Sequence, residues 1–364
     1  MATIHLRAAL GTIFGAGLIL GLGQAFADDL LKPSGTAGFS IALGFKQTSL
    51  PLLKRVAGGA PDAVSEALLQ KLCSGQCPPL SRSAPINRVE AAGDTWSLQV
   101  LGDGTAARYR NMEVGGREHA IAKEKTQQMS AESLYRAGRD FIDAQLASVV
   151  VVGPEEKIVP VRTDYRVEGG MNLRTGETAR SVVANRVVFG RTIRDVPVVG
   201  GGSRIALTFA NDGSLESFQY DWPKYEYEAQ SAERSVVDLE GILERVRRAV
   251  GLRLGVPSST APISAFGGQD ASHGVELLTN TVLRKLECGY YDPGFSAREA
   301  SAPVQPGCVY EAVSHDEAGG RSALSGAVPA ATFVEADPSW PEAARLGAPA
   351  PNEIPAIPGP SQGR

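Results

Sequence analysis

The chain has 364 residues, with 36 Lys+Arg against 40 Asp+Glu and a formal net charge of −4. That balance excludes a strongly basic nucleic-acid binder, which needs surplus cations to displace counterions from phosphates. With 43% hydrophobic and 21% charged residues, it equally excludes a highly charged disordered chain.

Residues 1–27 read as a secretory signal peptide. Arg7 supplies the positive charge, Ala8 to Leu22 is apolar, and Ala25-Phe26-Ala27 is a small-x-small cleavage site, so cleavage is expected at Ala27-Asp28. The apolar run, about 15 residues, falls short of the roughly 20 needed to span a bilayer. No cysteine follows it to carry a lipid, and no later stretch is long and apolar enough for a membrane span. The expectation is a secreted or periplasmic protein. In an oxidising compartment the four cysteines favour disulfides, with three connectivities open; the local pairing Cys73–Cys77 plus Cys288–Cys308 is the simplest.

Along the chain, 28–125 reads as an N-terminal α/β region. Asp62 is a candidate cap for a short helix carrying Val64, Leu68 and Leu72 on one face. Trp96, Leu98 and Val100 alternate with polar residues as a half-buried strand, and Gly102-Asp103-Gly104 turns it into a partner from Ala106 to Asn111. A module is expected at 126–230. Ser130 caps a helix over 131–147, followed by strands at Ile158 to Val167, Val182 to Ile193 and Val196 to Val199, then a Gly200-Gly201-Gly202 corner. The clearest hairpin runs Ile205 to Ala210, turns at Asn211-Asp212-Gly213-Ser214 and returns from Leu215 to Trp222. Its register sets Ile205 against Tyr220, Leu207 against Phe218 and Phe209 against Glu216.

A second, divergent module is expected at 231–336. It starts with a helix whose apolar stripe runs from Val236 to Val250, with Gly251 as its stop. Strands follow at Gly274 to Cys288 and Cys308 to Val313, with a short candidate at Ala330 to Glu335. Residues 337–364 are Pro-rich and read as a disordered tail. Helix then strands, twice over, predicts an α+β fold: antiparallel sheets each packed on one helix, with disulfides.

The stretch Arg186-Val-Val-Phe-Gly-Arg-Thr-Ile-Arg-Asp-Val-Pro-Val-Val-Gly-Gly-Gly-Ser-Arg-Ile205, ending in Asn211-Asp212-Gly213, resembles the propeptide modules of secreted metalloproteases, the FTP and PepSY families. Coverage is about 130–222, and weaker over 233–335. The resemblance implies cystatin-like or PepSY-like units that bind or restrain an exported partner such as a protease. No H-E-x-x-H occurs in the chain, so no metalloprotease domain accompanies the modules.

Catalytic constellations are not evident. His119, His273 and His315 lie far apart, Ser314-His315-Asp316-Glu317 cannot supply triad geometry from adjacent residues, and no G-x-S-x-G is present. Asp103 and Asp212 lie in turns without the oxygen-rich run of a calcium loop. No catalytic, cofactor-binding or metal residue is therefore assigned. Trp222, Tyr225 and Tyr227 are candidate partner-binding residues, since Tyr and Trp bury large area with few rotors; the competing reading lines the core with them. Arg outnumbers Lys 27 to 9, but the arginines are scattered along the chain. The functional expectation is an exported, non-enzymatic module that restrains or chaperones another exported protein. The alternatives are an exported hydrolase without a linear motif and an envelope structural protein.

Overall fold

The computed structural model describes residues 40–73, 78–83, 88–115, 129–171, 174–228, 233–255, 275–295, 303–315 and 320–332. The expected signal peptide, Cys77, His119, His273, Asp316, Glu317 and the Pro-rich tail lie outside the described residues.

In chain order, β1 (Ser40–Leu43), β2 (Ser49–Leu50) and β3 (Leu53–Val56) precede α1 (Pro61–Leu72). Four strands follow: β4 (Ser81–Ser83), β5 (Arg88–Ala92), β6 (Trp96–Leu101) and β7 (Ala106–Asn111). Next come α2 (Ala131–Phe141), continued by a π-helical turn Ile142–Leu146, and the long hairpin β8 (Glu156–Met171) and β9 (Thr178–Ile193). The chain continues through β10 (Val196–Val199), β11 (Arg204–Ala210), β12 (Leu215–Asp221), β13 (Lys224–Tyr227) and β14 (Arg234–Ser235). It ends with α3 (Leu239–Leu254), β15 (Val275–Leu278), β16 (Thr281–Tyr291), β17 (Gln305–His315) and β18 (Arg321–Pro329).

The expected architecture of separate sheets, each on one helix, is overturned. Strand makes up 52% of the structure and helix 21%. Fourteen strands form one mixed sheet, in the order β18-β17-β16-β10-β9-β11-β12-β7-β6-β5-β4, with β1 and β15 also on β16 and β8 on β9. The joint is a short parallel ladder, Val198 opposite Tyr290 and Val199 opposite Tyr291. It is extended by Asp292 N–H donating to Val199 O and Gly202 N–H donating to Asp292 O. Within this sheet, pairing therefore crosses from 28–125 into later strands twice: β7 lies against β12, and β1 runs parallel to β16. Small two-stranded pairs, β3 with β13 and β2 with β14, lie beside the joint.

Strand alternation puts α1, α2 and α3 on one face of this sheet. Val187, Phe189, Arg191 and Ile193 of β9 share a face; Ile193 pairs with Val196, and Val198 with Tyr290, so Leu286 and Cys288 of β16 lie on that face too. Val187 and Phe189 pack in the core under α1 and α2, while Leu286 and Cys288 pack with Ile242, Val246 and Val250 of α3. Between them, Leu50, Leu53, Val196, Val198, Tyr225 and Tyr290 fill a third core at the joint.

The helix ends show the local physics. Ser130 caps α2 as read, accepting from Ser133 N–H at 3.1 Å. For α1 the cap position is Ala60, with Pro61 opening the helix and Asp62 in its first turn. Asp238 caps α3, which passes through Gly251 and stops a turn later at Gly255, φ +68°. In the β11–β12 hairpin, Ile205 faces Tyr220 and Leu207 faces Phe218, but a register shift after Thr208 sets Phe209 against Leu215 instead of Glu216. Cys288 and Cys308 sit opposite each other in the β16–β17 ladder and are joined, S–S 2.05 Å. Cys73 lies half-buried just after α1, and its expected partner Cys77 is outside the described residues.

Candidate functional site at the joint

The joint holds a buried polar network. Asp292, just after β16, is fully buried, and the Arg55 Nε of β3 donates to its Oδ2 at 3.2 Å. Tyr225 Oη of β13 donates to the same oxygen at 2.5 Å and lies 3.0 Å from Ser203 Oγ; Gly294 N–H donates to Oδ1 at 2.9 Å. The glycine corner exists for this contact: a Cβ on Gly202 would lie 2.3 Å from the Asp292 carboxyl carbon. Burial and the facing Asp292 charge push the Tyr225 phenol well above its ordinary value, so it stays a neutral donor.

One strand away, Arg191 of β9 is 1% exposed. Its guanidinium carbon lies 3.9 Å over the Trp222 ring and 4.9 Å over the Tyr225 ring, while Nη1 donates to Pro223 O at 2.7 Å and to Glu156 Oε1 at 3.2 Å. Its Nε and Nη2 have no hydrogen-bond partner among the described residues. Burial pulls the Arg191 pKa down, against the pull of Tyr225 and Glu156. Trp222 Nε1 donates to Val151 O at 3.0 Å.

The two inner candidates are thus placed in the core. Trp222 is 4% exposed and Tyr225 8%. Only Tyr227 stays half-exposed; its ring lies under Arg194, which lines an open groove of about 520 Å³ with Lys46 to Pro51, Val196, Glu233 and Tyr290. Arg194 stands at the β9–β10 turn with φ +48°. Its guanidinium carbon lies 4.3 Å over the Tyr227 ring and its Nε donates to Glu155 at 2.8 Å. That ion pair holds the Glu155 carboxyl below its ordinary value. Burial, then the neighbouring Glu155, pushes Tyr227 up to about 12. Glu233 accepts from Ser49 Oγ on the opposite wall.

Chemically, the Ser203–Tyr225–Asp292 chain is sealed inside the protein and holds the joint together. The groove offers two cations, a carboxylate and aromatic edges on a rigid frame, which suits recognition of a polar extended segment. Sequence reasoning missed Arg191 and Arg194. The signal lay in Arg191 itself, a charge inside the apolar run Val187 to Ile193. His315 ends β17 beside Ser314, which bonds Thr281 at 3.1 Å. Among the described residues no three His, Cys, Asp or Glu side chains cluster as a metal site would require, and no helix is long and apolar enough to cross a membrane.

No family model matches the chain. No curated protein matches it either. Among solved structures, it is similar to an uncharacterized protein from Eubacterium rectale, at 10% identity over 80% of this chain and 86% of that one, with a TM-score of 0.47. A likeness of that size carries no argument about fold or function.

Proposed function

We propose that this is an exported binding protein that holds another exported protein through the groove at the joint, and does no covalent chemistry on it. The observation that carries the reading is the Arg194–Tyr227 pair. A cation stacked on an aromatic ring, with the phenol kept neutral, lines an open groove together with Lys46, Ser49, Leu50, Val196, Glu233 and Tyr290. The disulfide between Cys288 and Cys308 is compatible with export, and residues 1–27 supply the address, with the mature chain starting at Asp28. The propeptide-like stretch at 130–222 makes a protease the partner class to look for first.

The test is capture from the host's exported fraction with the mature chain 28–364 in its disulfide-bonded form. Near-stoichiometric recovery of one identified protein, reduced about tenfold or more by Lys46→Ala with Arg194→Ala, is the expected result. Capture that ignores those substitutions, or no capture with hydrolysis of a substrate panel, would overturn it.

A further inference from the structure

The outer strands of a sheet present unpaired N–H and C=O groups, which pair with another strand unless something prevents it. The longest outer strands of this sheet are β8 and β18, and β4 closes its far end with only three residues. β8 carries its protection in its sequence. Pro160 removes a donor, register shifts follow Pro160 and Arg166, and Arg162, Asp164 and Arg166 put charge along the strand. β18 is different. After Arg321 it reads Ser-Ala-Leu-Ser-Gly-Ala-Val-Pro, small and uncharged, and it pairs with β17 without a register shift. An uncharged, evenly paired edge is the kind that templates a second strand.

Register fixes which groups of β18 face outward. Gly44 N–H donates to Cys288 O, so the Cys288 backbone points toward β1, and that of its partner Cys308 points toward β18. Val328, opposite Cys308, therefore faces β17, and alternation turns the backbone of Arg321, Ala323, Ser325, Ala327 and Pro329 away from it. Pro329, which has no N–H to offer, stands at one of these outward positions. Arginines of α3 hold the outward carbonyls. Arg253 Nη1 donates to Ser325 O, and Arg245 Nη1 donates to Pro329 O at 2.8 Å and to Ala331 O at 2.7 Å. The spacings match: from Arg245 to Arg253 the helix rises about 12 Å, and from Ser325 to Pro329 the strand spans about 13.5 Å. Just beyond, Val237 N–H donates to Ala330 O and Thr332 N–H to Ser235 O, so the lead-in to α3 covers the continuation of the strand.

We infer that α3 guards the β18 edge against pairing with a second copy of this chain, independently of the groove at the joint. β18 is complementary to itself. Laid antiparallel on its copy with Ser325 opposite Ser325, it sets Arg321 against Pro329 and Ala323 against Ala327, and no two charges meet. With the arginines in place, only Arg321 and Ala323 are exposed at outward positions, while Ala327, between the two contacts, is 4% exposed. Two positions are too few to hold a strand. Releasing the arginines opens the rest of the edge.

The test is size-exclusion chromatography with light scattering on the mature, disulfide-bonded chain over a range of concentrations. Arg245→Met with Arg253→Met keeps the apolar stems and removes the donors; its mass should rise about twofold over the parent's as concentration increases. Adding Ala323→Pro, which takes an outward donor from the edge, should return it to the parent's mass. Arg248→Met, on the exposed side of α3, and Arg136→Gln, on the exposed side of α2, remove a charge away from β18 and should leave the mass unchanged. Thermal melts check that each variant folds; if the double variant does not, Arg253→Met alone is the substitute, expected to dimerise at higher concentration. A folded variant that keeps the parent's mass at every concentration, or a dimer that Ala323→Pro leaves intact, would overturn the assignment. None of these outcomes bears on capture at the groove.

Discussion

Tyr225 donates to Asp292 at 2.5 Å, linking residues 67 apart in sequence across the joint between β13 and the end of β16. Arg55, opposite Tyr225 in the β3–β13 ladder, reaches the same carboxylate, so that ladder is pinned to the end of β16 on one buried charge. Breaking a buried pair by removing one partner leaves a charge stranded, a cost of about 3–5 kcal/mol. Arg55→Met should therefore lower the unfolding free energy in urea by that amount, and Tyr225→Phe by about 1–3 kcal/mol. A loss below about 1 kcal/mol for Arg55→Met would show that the joint does not depend on this contact.

Trp222 and Tyr227 should part company when truncated. Trp222 is buried under Arg191, so Trp222→Ala removes core volume and the ring beneath a sealed guanidinium; about 3–5 kcal/mol of stability should go. Tyr227 is half-exposed and its stack with Arg194 is worth roughly 0.5–1 kcal/mol. Tyr227→Ala should hardly move the urea midpoint while reducing partner capture. Equal destabilisation by the two would place Tyr227 in the core and remove it from the groove.

The disulfide should act mainly on the unfolded chain. Cys288 and Cys308 are buried neighbours on paired strands and close a segment of 20 residues that includes Asp292. Replacing both with Ala should cost about 2–4 kcal/mol in chemical denaturation. A change within experimental error would mean that the β16–β17 ladder suffices alone.

Alkaline pH should unfold the protein through its phenols. Burial raises Tyr310 to about 12, and burial with Glu155 raises Tyr227 to about 12; Tyr220, Tyr225, Tyr290 and Tyr291 are raised as well. A folded-state value above the unfolded one gives stability that is complete below about pH 10 and is lost as pH rises through the folded value. Unfolding free energy should thus fall steeply between about pH 10 and 12, with phenolate absorbance and loss of structure appearing together. Ionisation of most tyrosines near pH 10 with the fold intact would contradict the burial described.

What the sequence could reveal divides by range. Periodicity located the helices, and the Asn211-Asp212-Gly213 turn set two of three pairings in its hairpin, because these signals lie within a few residues. The third pairing failed at a bulge, which leaves no mark on alternation. The single sheet was illegible for a different reason: its joint is Val198–Val199 against Tyr290–Tyr291, a short parallel contact between segments 92 residues apart. β18 was missed because Ser322 to Gly326 is rich in small residues that carry little strand signal. Gly251 looked like a helix stop, yet it is buried inside α3; only the left-handed conformation at Gly255 ends it. The aromatic cluster at Trp222 to Tyr227 was visible, but which rings turn inward depended on Arg191, a strand away.

The measurement that tests the account most directly is partner capture from the host's exported fraction, run in parallel with the mature parent chain, the Lys46→Ala/Arg194→Ala variant and Arg136→Gln. The account predicts one exported protein held near-stoichiometrically by the parent and by Arg136→Gln, and lost from the groove variant while its melting temperature is unchanged. Equal capture by all three chains would contradict it.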